Sequence, residues 1–242
     1  MVVRPLLLLL PMSMAACTAP RGDAPASTAQ PLVCAPETTI AASPIEAVIE
    51  TRDARTLERT AWTARGNHHP SARFVLRTAG RAIDLGEGLA AALLVDGALV
   101  VRVDESLERL DPRGCARLVA RDVLPDLAVS PDGSRFAFVL RKGDGTGLEI
   151  GSTLTGTRAI ASAFAEADRP LFLDERTLLF VGAGTPGVSR FHVVPVDGGV
   201  PRALEIDAIP ASREGYRLDG TVVRFHDGER LRTLDPVAGV LR

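Results

Sequence analysis

Ser130-Pro131-Asp132-Gly133-Ser134-Arg135-Phe136-Ala137-Phe138-Val139 decides how this chain folds. Asp-Gly between two apolar stretches favours a tight hairpin, because both central residues tolerate positive φ. The alternation of Phe136 and Phe138 puts the large side chains on one face of the strand that leaves the turn. The grammar recurs: an apolar strand, a turn of Asp-Gly type, a stronger apolar strand, a loop, a third strand, a Gly-containing turn. One copy begins Leu93-Leu94-Val95-Asp96-Gly97-Ala98-Leu99-Val100-Val101 and closes at Leu110-Asp111-Pro112-Arg113-Gly114, and the copy around Ser130 closes at Leu154-Thr155-Gly156. A third runs from Leu173 through Asp174-Glu175 to Val181 and closes at Asp197-Gly198-Gly199. The fourth, Leu218-Asp219-Gly220-Thr221-Val222-Val223-Arg224-Phe225, closes at Leu234-Asp235-Pro236-Val237-Ala238-Gly239. With Gly97, Gly133, Glu175 and Gly220 as equivalent points, the spacings are 36, 42 and 45 residues. A period of about 40 with several strands per unit is that of a propeller blade, which cannot bury two faces alone and so stacks radially. The density of Gly, Pro and Asp-Gly excludes a helical solenoid.

The stretch from Ser130 to Ile160 resembles the TolB-like propeller repeat: Ser-Pro-Asp-Gly, a Phe-containing strand, a Gly/Asp loop, a further strand and a Gly-containing turn. Phe191 to Leu204, FHVVPVDGGVPRAL, resembles the closing half of the same repeat. Gly97 and Gly220 mark weaker copies, so the resemblance covers residues 89–242. The third copy has Asp174-Glu175 in place of Asp-Gly, and no strand ends in the family's usual Tyr. The resemblance implies an all-β, propeller-like domain of four to five blades, and protein-partner work in the bacterial envelope. It does not imply an enzyme. Residues 45–88 read either as a further blade, with strands at Ile45–Glu50 and Arg73–Arg77 and a closing hairpin over Ala79–Leu85, or as a cap with a helix around Asp53 to Ala64; the blade is the expectation.

Upstream, the chain reads as a targeting segment and a tether. Arg4, the run Pro5 to Met12 and the small residues Ser13, Ala15 and Ala16 describe a secretory signal over 1–16. Its apolar run is far shorter than the ~20 residues of a membrane-spanning helix. Met14-Ala15-Ala16-Cys17 resembles the bacterial lipobox, with Met where Leu is usual; this implies a lipid on Cys17, and Thr18 after it implies sorting to the outer membrane. The alternative is a plain signal with Cys17 left as a thiol. Residues 17–44, rich in Pro, Ala, Ser and Thr, read as an extended tether, and 45–242 as the propeller-like domain. With Cys17 acylated, Cys34 and Cys115 form an even pair in an oxidising compartment, either bonded or left as two thiols.

The chain has 242 residues, enough for a sizeable core, with 46% apolar and 24% charged residues. Lys+Arg 28 against Asp+Glu 30 gives a net charge of −2, without the basic excess that neutralises phosphates, so no nucleic-acid partner is expected. Ten aromatic residues are too few for a base-stacking platform. Lys142 is the one lysine among 28 basic residues, a codon-usage bias that removes functional weight from the arginines.

Other motifs carry little chemistry. Gly182-Ala183-Gly184-Thr185-Pro186-Gly187 satisfies G-x-G-x-x-G, yet Val188 to Val194 reads as a strand and not the helix a dinucleotide site needs. Gly143-Asp144-Gly145-Thr146-Gly147 lacks the further acids of a calcium loop. His68-His69 has no H-E-x-x-H or C-x-x-C beside it and reads as an exposed loop. His192 and His226 fall in strands, and no G-x-S-x-G is present. No catalytic residue, metal or cofactor is expected. Asp96, Gly97, Asp132, Gly133, Asp219 and Gly220 are structural turn residues. The expectation is an envelope-anchored, non-catalytic protein-binding module, attached to the membrane through its lipid alone. Its partner is sought at the loops between second and third strands, Arg141 to Gly147 and Gly182 to Gly187. A propeller hydrolase or lactonase would instead need carboxylates and histidines gathered at the channel, and a structural spacer would need no partner.

Overall fold

A strand buried on both faces needs apolar residues at every position, whereas one with a wet face needs them at every second position. Both patterns occur here, and they sort the sheets. The structure, a computed structural model, describes residues 33–34, 45–65, 68–153, 157–159, 164–183, 188–213 and 215–242. The signal segment, Cys17, most of the tether and residues 184–187 lie outside the described residues.

The described residues form strands and turns, without a helix. β1 (Val33–Cys34) precedes a first sheet of β2 (Ile45–Arg52), β3 (Arg55–Thr60), β4 (Thr63–Arg65), β5 (His68–Thr78) and β6 (Arg81–Gly88). In it β2 pairs β3, both β3 and β4 pair β5, and β6 lies on the far side of β5, all antiparallel. The second sheet is a meander of β7 (Ala90–Leu94), β8 (Gly97–Val101), β9 (Leu107–Leu110) and β10 (Cys115–Ala120), with β1 added to β10 as a fifth strand. The third has β11 (Val123–Val129), β12 (Arg135–Lys142), β13 (Gly145–Ser152) and β14 (Arg158–Ala159). The fourth has β15 (Glu166–Phe172), β16 (Thr177–Ala183), β17 (Ser189–Pro195) and β18 (Arg202–Ala203). The fifth has β19 (Arg217–Asp219), β20 (Val222–His226), β21 (Leu231–Asp235) and β22 (Val240–Leu241). The first strands β7, β11, β15 and β19 are successive neighbours, and β2 lies against β7, so they form the axis.

Residues 45–88 are thus a sheet, and the helix around Asp53 does not form. Asp53 instead takes the left-handed conformation (φ 54°) in the β2–β3 turn. His68 and His69 lie in β5 and not in a loop.

Four buried clusters separate the five sheets. Along β8, Ala98 and Val100 face the first sheet while Leu99 and Val101 face the third. Along β12, Phe136 and Phe138 face the second sheet while Ala137 and Val139 face the fourth. Along β16, Leu178 and Phe180 face the third sheet while Leu179 and Val181 face the fifth. Each interior strand therefore feeds two cores by simple alternation. Close approach is built in: Gly151 lies opposite Phe136, and a Cβ there would sit 2.2 Å from its ring.

The end sheets differ. On the first, Phe74 and Leu76 face the second sheet, while the other face carries the pairs Arg77–Glu58 (2.6 Å) and Arg73–Asp84. On the fifth, Val223 and Phe225 face the fourth sheet, while Arg224 and His226 are exposed and Arg224 pairs with Asp219 (2.8 Å). Among the described residues no buried apolar cluster joins the fifth sheet to the first. The five described sheets stack as a fan through these four cores, and the outer faces of the first and fifth carry the ion pairs.

Candidate functional site

The turns that gave the repeat away are structural. In the third sheet Gly133 N donates to the Ser130 carbonyl oxygen (2.8 Å), and the Asp132 carboxylate accepts from the hydroxyls of Ser130 and Ser134 (2.6 Å each). Burial works against the charge on Asp132, but these bonds and the Ser134 amide win, holding its carboxyl at about 2. Gly133 (φ 74°) and Gly220 (φ 63°) take positive φ, but Pro131-Asp132 form the centre of the first turn and Gly220-Thr221 that of the second, so in neither turn are Asp and Gly together the central pair. In the second sheet the turn is Val95-Asp96, and Gly97 is already the first residue of β8, where a Cβ would lie 2.0 Å from the Leu110 carbonyl oxygen. Asp96 pairs with Arg109.

The expected recognition loop from Arg141 to Gly147 is not a free loop. Arg141 and Lys142 end β12, and Gly145 already starts β13. The Thr146 hydroxyl donates to the Ala167 carbonyl oxygen (3.0 Å) and accepts from the Ala167 amide (2.8 Å), pinning the hairpin to β15. For Gly182 to Gly187, Gly182 and Ala183 end β16 and the rest lies outside the described residues; the chain resumes into β17, a strand as expected.

Two inner strands bulge at the axis. Pairing of β11 with β12 shifts between Val123 and Leu127, and pairing of β15 with β16 shifts between Asp168 and Leu171. The bulges carry Asp126 and the pair Asp168-Arg169, the latter at positive φ (49°). Arg213, on the segment that leads into β19, donates to the Asp126 carboxylate (2.8 Å) and to the Leu127 carbonyl oxygen. Arg169 lies 3.7 Å from Asp168. Burial pushes the Asp168 carboxyl up, with Arg169 opposing and Asp126 adding to the rise. Burial also drives the Tyr216 phenol far above its ordinary range. Asp168 Oδ1 and the Tyr216 hydroxyl are buried without a hydrogen-bond partner among the described residues. Arg213 thus ties the segment before the fifth sheet to the third, while Asp168 and Arg169 pair within the fourth, and the charges of all four act on the buried Tyr216 phenol.

A second polar feature is His192 in β17, stacked on Phe180 (5.3 Å) and met edge-on by Phe164 (4.5 Å). Burial lowers its pKa from 6.5, partly offset by its bond to the Gly182 backbone. A histidine depressed in the folded state favours folding fully above its unfolded pKa and loses that contribution as pH falls. The melting temperature should therefore fall from pH 7 to pH 5.5, and His192→Leu should flatten that slope; an unchanged slope would remove His192 as its cause.

An open cleft of about 550 Å³ lies at the outer end of the fan. Its walls are the segment Glu205 to Ile209, the β20–β21 hairpin and the last strand. Ile206, Ala208, Ile209 and Leu241 form an apolar floor continuous with the core between the fourth and fifth sheets. Around it stand Glu205, Asp207, Asp227 and Glu229, with Arg232 as the one cation of the lining. The Asp227 carboxyl is held well below the usual range by the Arg230 amide, the Arg232 side chain and the Glu229 amide. Among the described residues no group of three or more His, Cys, Asp or Glu is placed to hold a metal ion.

No protein-family model and no curated protein sequence matches the chain. Its structure is similar to that of dipeptidyl peptidase 4 from Porphyromonas gingivalis, at 11% identity and a TM-score of 0.56, over 78% of this chain and 37% of that one. It is similar to a chain of the nidogen–laminin complex, at 14% identity and 0.53, over 78% and 74%. TolB from Acinetobacter baumannii is similar at 12% identity and 0.52, over 78% and 50%. The fold is a β-propeller. The chain spans about half the length of that TolB.

Sequence reasoning missed what locks this propeller together: its arginines. Arg52 reaches the carbonyl oxygens of Pro131 and Ser130, passing over the second sheet to the third. Arg55 donates to Leu94 (2.9 Å) and Arg109 to Thr153 (2.9 Å). Arg135 meets Asp197 (2.8 Å). Guanidinium groups suit this work because they present several fixed donors. A composition bias hid them, and apart from Asp197 their targets are backbone carbonyls that no motif marks. The cleft was missed for a related reason: its acids lie on two chain segments some twenty residues apart, and its floor draws on a third.

Cys34 and Cys115 are joined by a disulfide, directly opposite each other on β1 and β10. Cys115 opens β10, directly after the closing turn of the second sheet.

Proposed function

We propose that this chain is an exported, non-catalytic protein-binding module of the bacterial cell envelope, anchored by a lipid on Cys17. The observation that carries the reading is the open cleft on the last blade, with an apolar floor and charged walls, set on a frame of stacked sheets. Rigid scaffolds that present an accessible concavity suit recognition. The disulfide favours an oxidising compartment. One of the similar structures is itself of two proteins in complex, nidogen and laminin.

The test is capture from the native envelope. The full chain, tagged at its C-terminus and cross-linked in cells before detergent extraction, should retain one envelope protein in near-stoichiometric yield. Recovery of the chain alone would remove the binding-module reading. Labelling with a palmitate analogue should be lost in Cys17→Ala, and undiminished labelling would remove the lipid anchor.

A further inference from the structure

Charge around the cleft is not balanced by the protein itself. Asp227 is fully engaged, accepting from the Arg232 side chain and from the amides of Glu229 (3.0 Å) and Arg230 (2.9 Å). Glu205 faces Arg190 (3.3 Å). Asp207 and Glu229 are exposed on opposite walls, and neither carries an ion pair among the described residues. Between them lies the floor of Ile206, Ala208, Ile209 and Leu241. One wall, from Glu205 to Pro210, runs without strand pairing. The volume, about 550 Å³, falls within the ~300–1,000 Å³ typical of ligand clefts.

We infer that the cleft receives a short extended segment of the partner protein in which basic and apolar residues alternate. Side chains of an extended segment point alternately to opposite faces. One set of positions can therefore lay an aliphatic residue on Ile209 and Leu241, while the flanking arginines or lysines turn outward to Asp207 and Glu229. Arginine suits the site further, since its stem packs on apolar surface while its head stays with the carboxylates. The inference rests on the binding-module reading and adds to it the place and the chemistry of the contact.

The probe is a fluorescein-labelled hexapeptide, Arg-Val-Arg-Val-Arg-Val, titrated by anisotropy against the full chain at low salt. Saturable binding is expected, weakened about tenfold by D207N/E229Q, since removing rim charges lowers electrostatic attraction. It should change less than about twofold in D144N/E175Q, which removes the same charge from two exposed turns elsewhere. The matching Glu-Val hexapeptide should not bind. Absent binding by the wild type, equal binding by D207N/E229Q or equal binding of the acidic peptide would each overturn the inference. Unchanged melting of D207N/E229Q keeps the comparison clean. The native capture experiment separates the two readings. A partner held by the wild type and equally by D207N/E229Q leaves the binding module standing and rejects the cleft as its seat. No captured protein rejects the module itself.

Discussion

Replacing Phe138 by alanine should destabilise the fold by about 3–5 kcal/mol, a large share of the roughly 5–15 kcal/mol that keeps a domain folded. The ring is fully buried, stacked on Phe136 at 6.0 Å, in the cluster between the second and third sheets. Its strand has no wet face to relax toward, because Ala137 and Val139 fill the next core. Arg224→Ala, on the outer face of the fifth sheet, should change stability by only about 0.5 kcal/mol. Urea unfolding checks both. A Phe138→Ala loss below about 1 kcal/mol would mean that the third sheet is not buried on both faces.

Loss of the disulfide is the second large effect. Cys34 and Cys115 are 81 positions apart, so their bond closes a long loop, and the chain-entropy estimate for such a loop is about 4 kcal/mol. Cys34 sits on a two-residue strand and is itself exposed, so little native packing should be lost with it. The double variant Cys34→Ser/Cys115→Ser should unfold at markedly lower urea with a native-like circular dichroism spectrum. The wild type under strong reductant should match it. If the variant and wild type unfold together, the bond stabilises nothing.

The fold was legible where chemistry is local. The unbroken runs of Phe136 to Val139 and Leu178 to Val181 announce interior strands, and Val222-Val223-Arg224-Phe225-His226 announces a sheet with one wet face. Asp132 and Gly133 mark a turn because their bonds reach no further than Ser130 and Ser134. The first sheet was harder to read: its hairpin turns on Asp53 in the left-handed conformation and carries no Asp-Gly. The fourth strands β14, β18 and β22 are two residues each, too short for any periodicity. The axial cluster was out of reach, since Asp126, Asp168 and Arg213 meet only after two strands bulge and three sheets stack.

The place where β1 joins the sheet also decides how the molecule would carry a mechanical load. Covalent linkage of Cys34 to Cys115 puts residues 35–114, the whole first sheet and most of the second, inside a closed loop of the chain. Tension applied at the N-terminal side passes through the sulfur–sulfur bond into β10 and bypasses that loop. A pull between the two ends would peel the fifth, fourth and third sheets and leave the first slack. Reduction would reroute the same force into β2 and open the fan from its other side. A single covalent bond thus sets which end of the fan yields first.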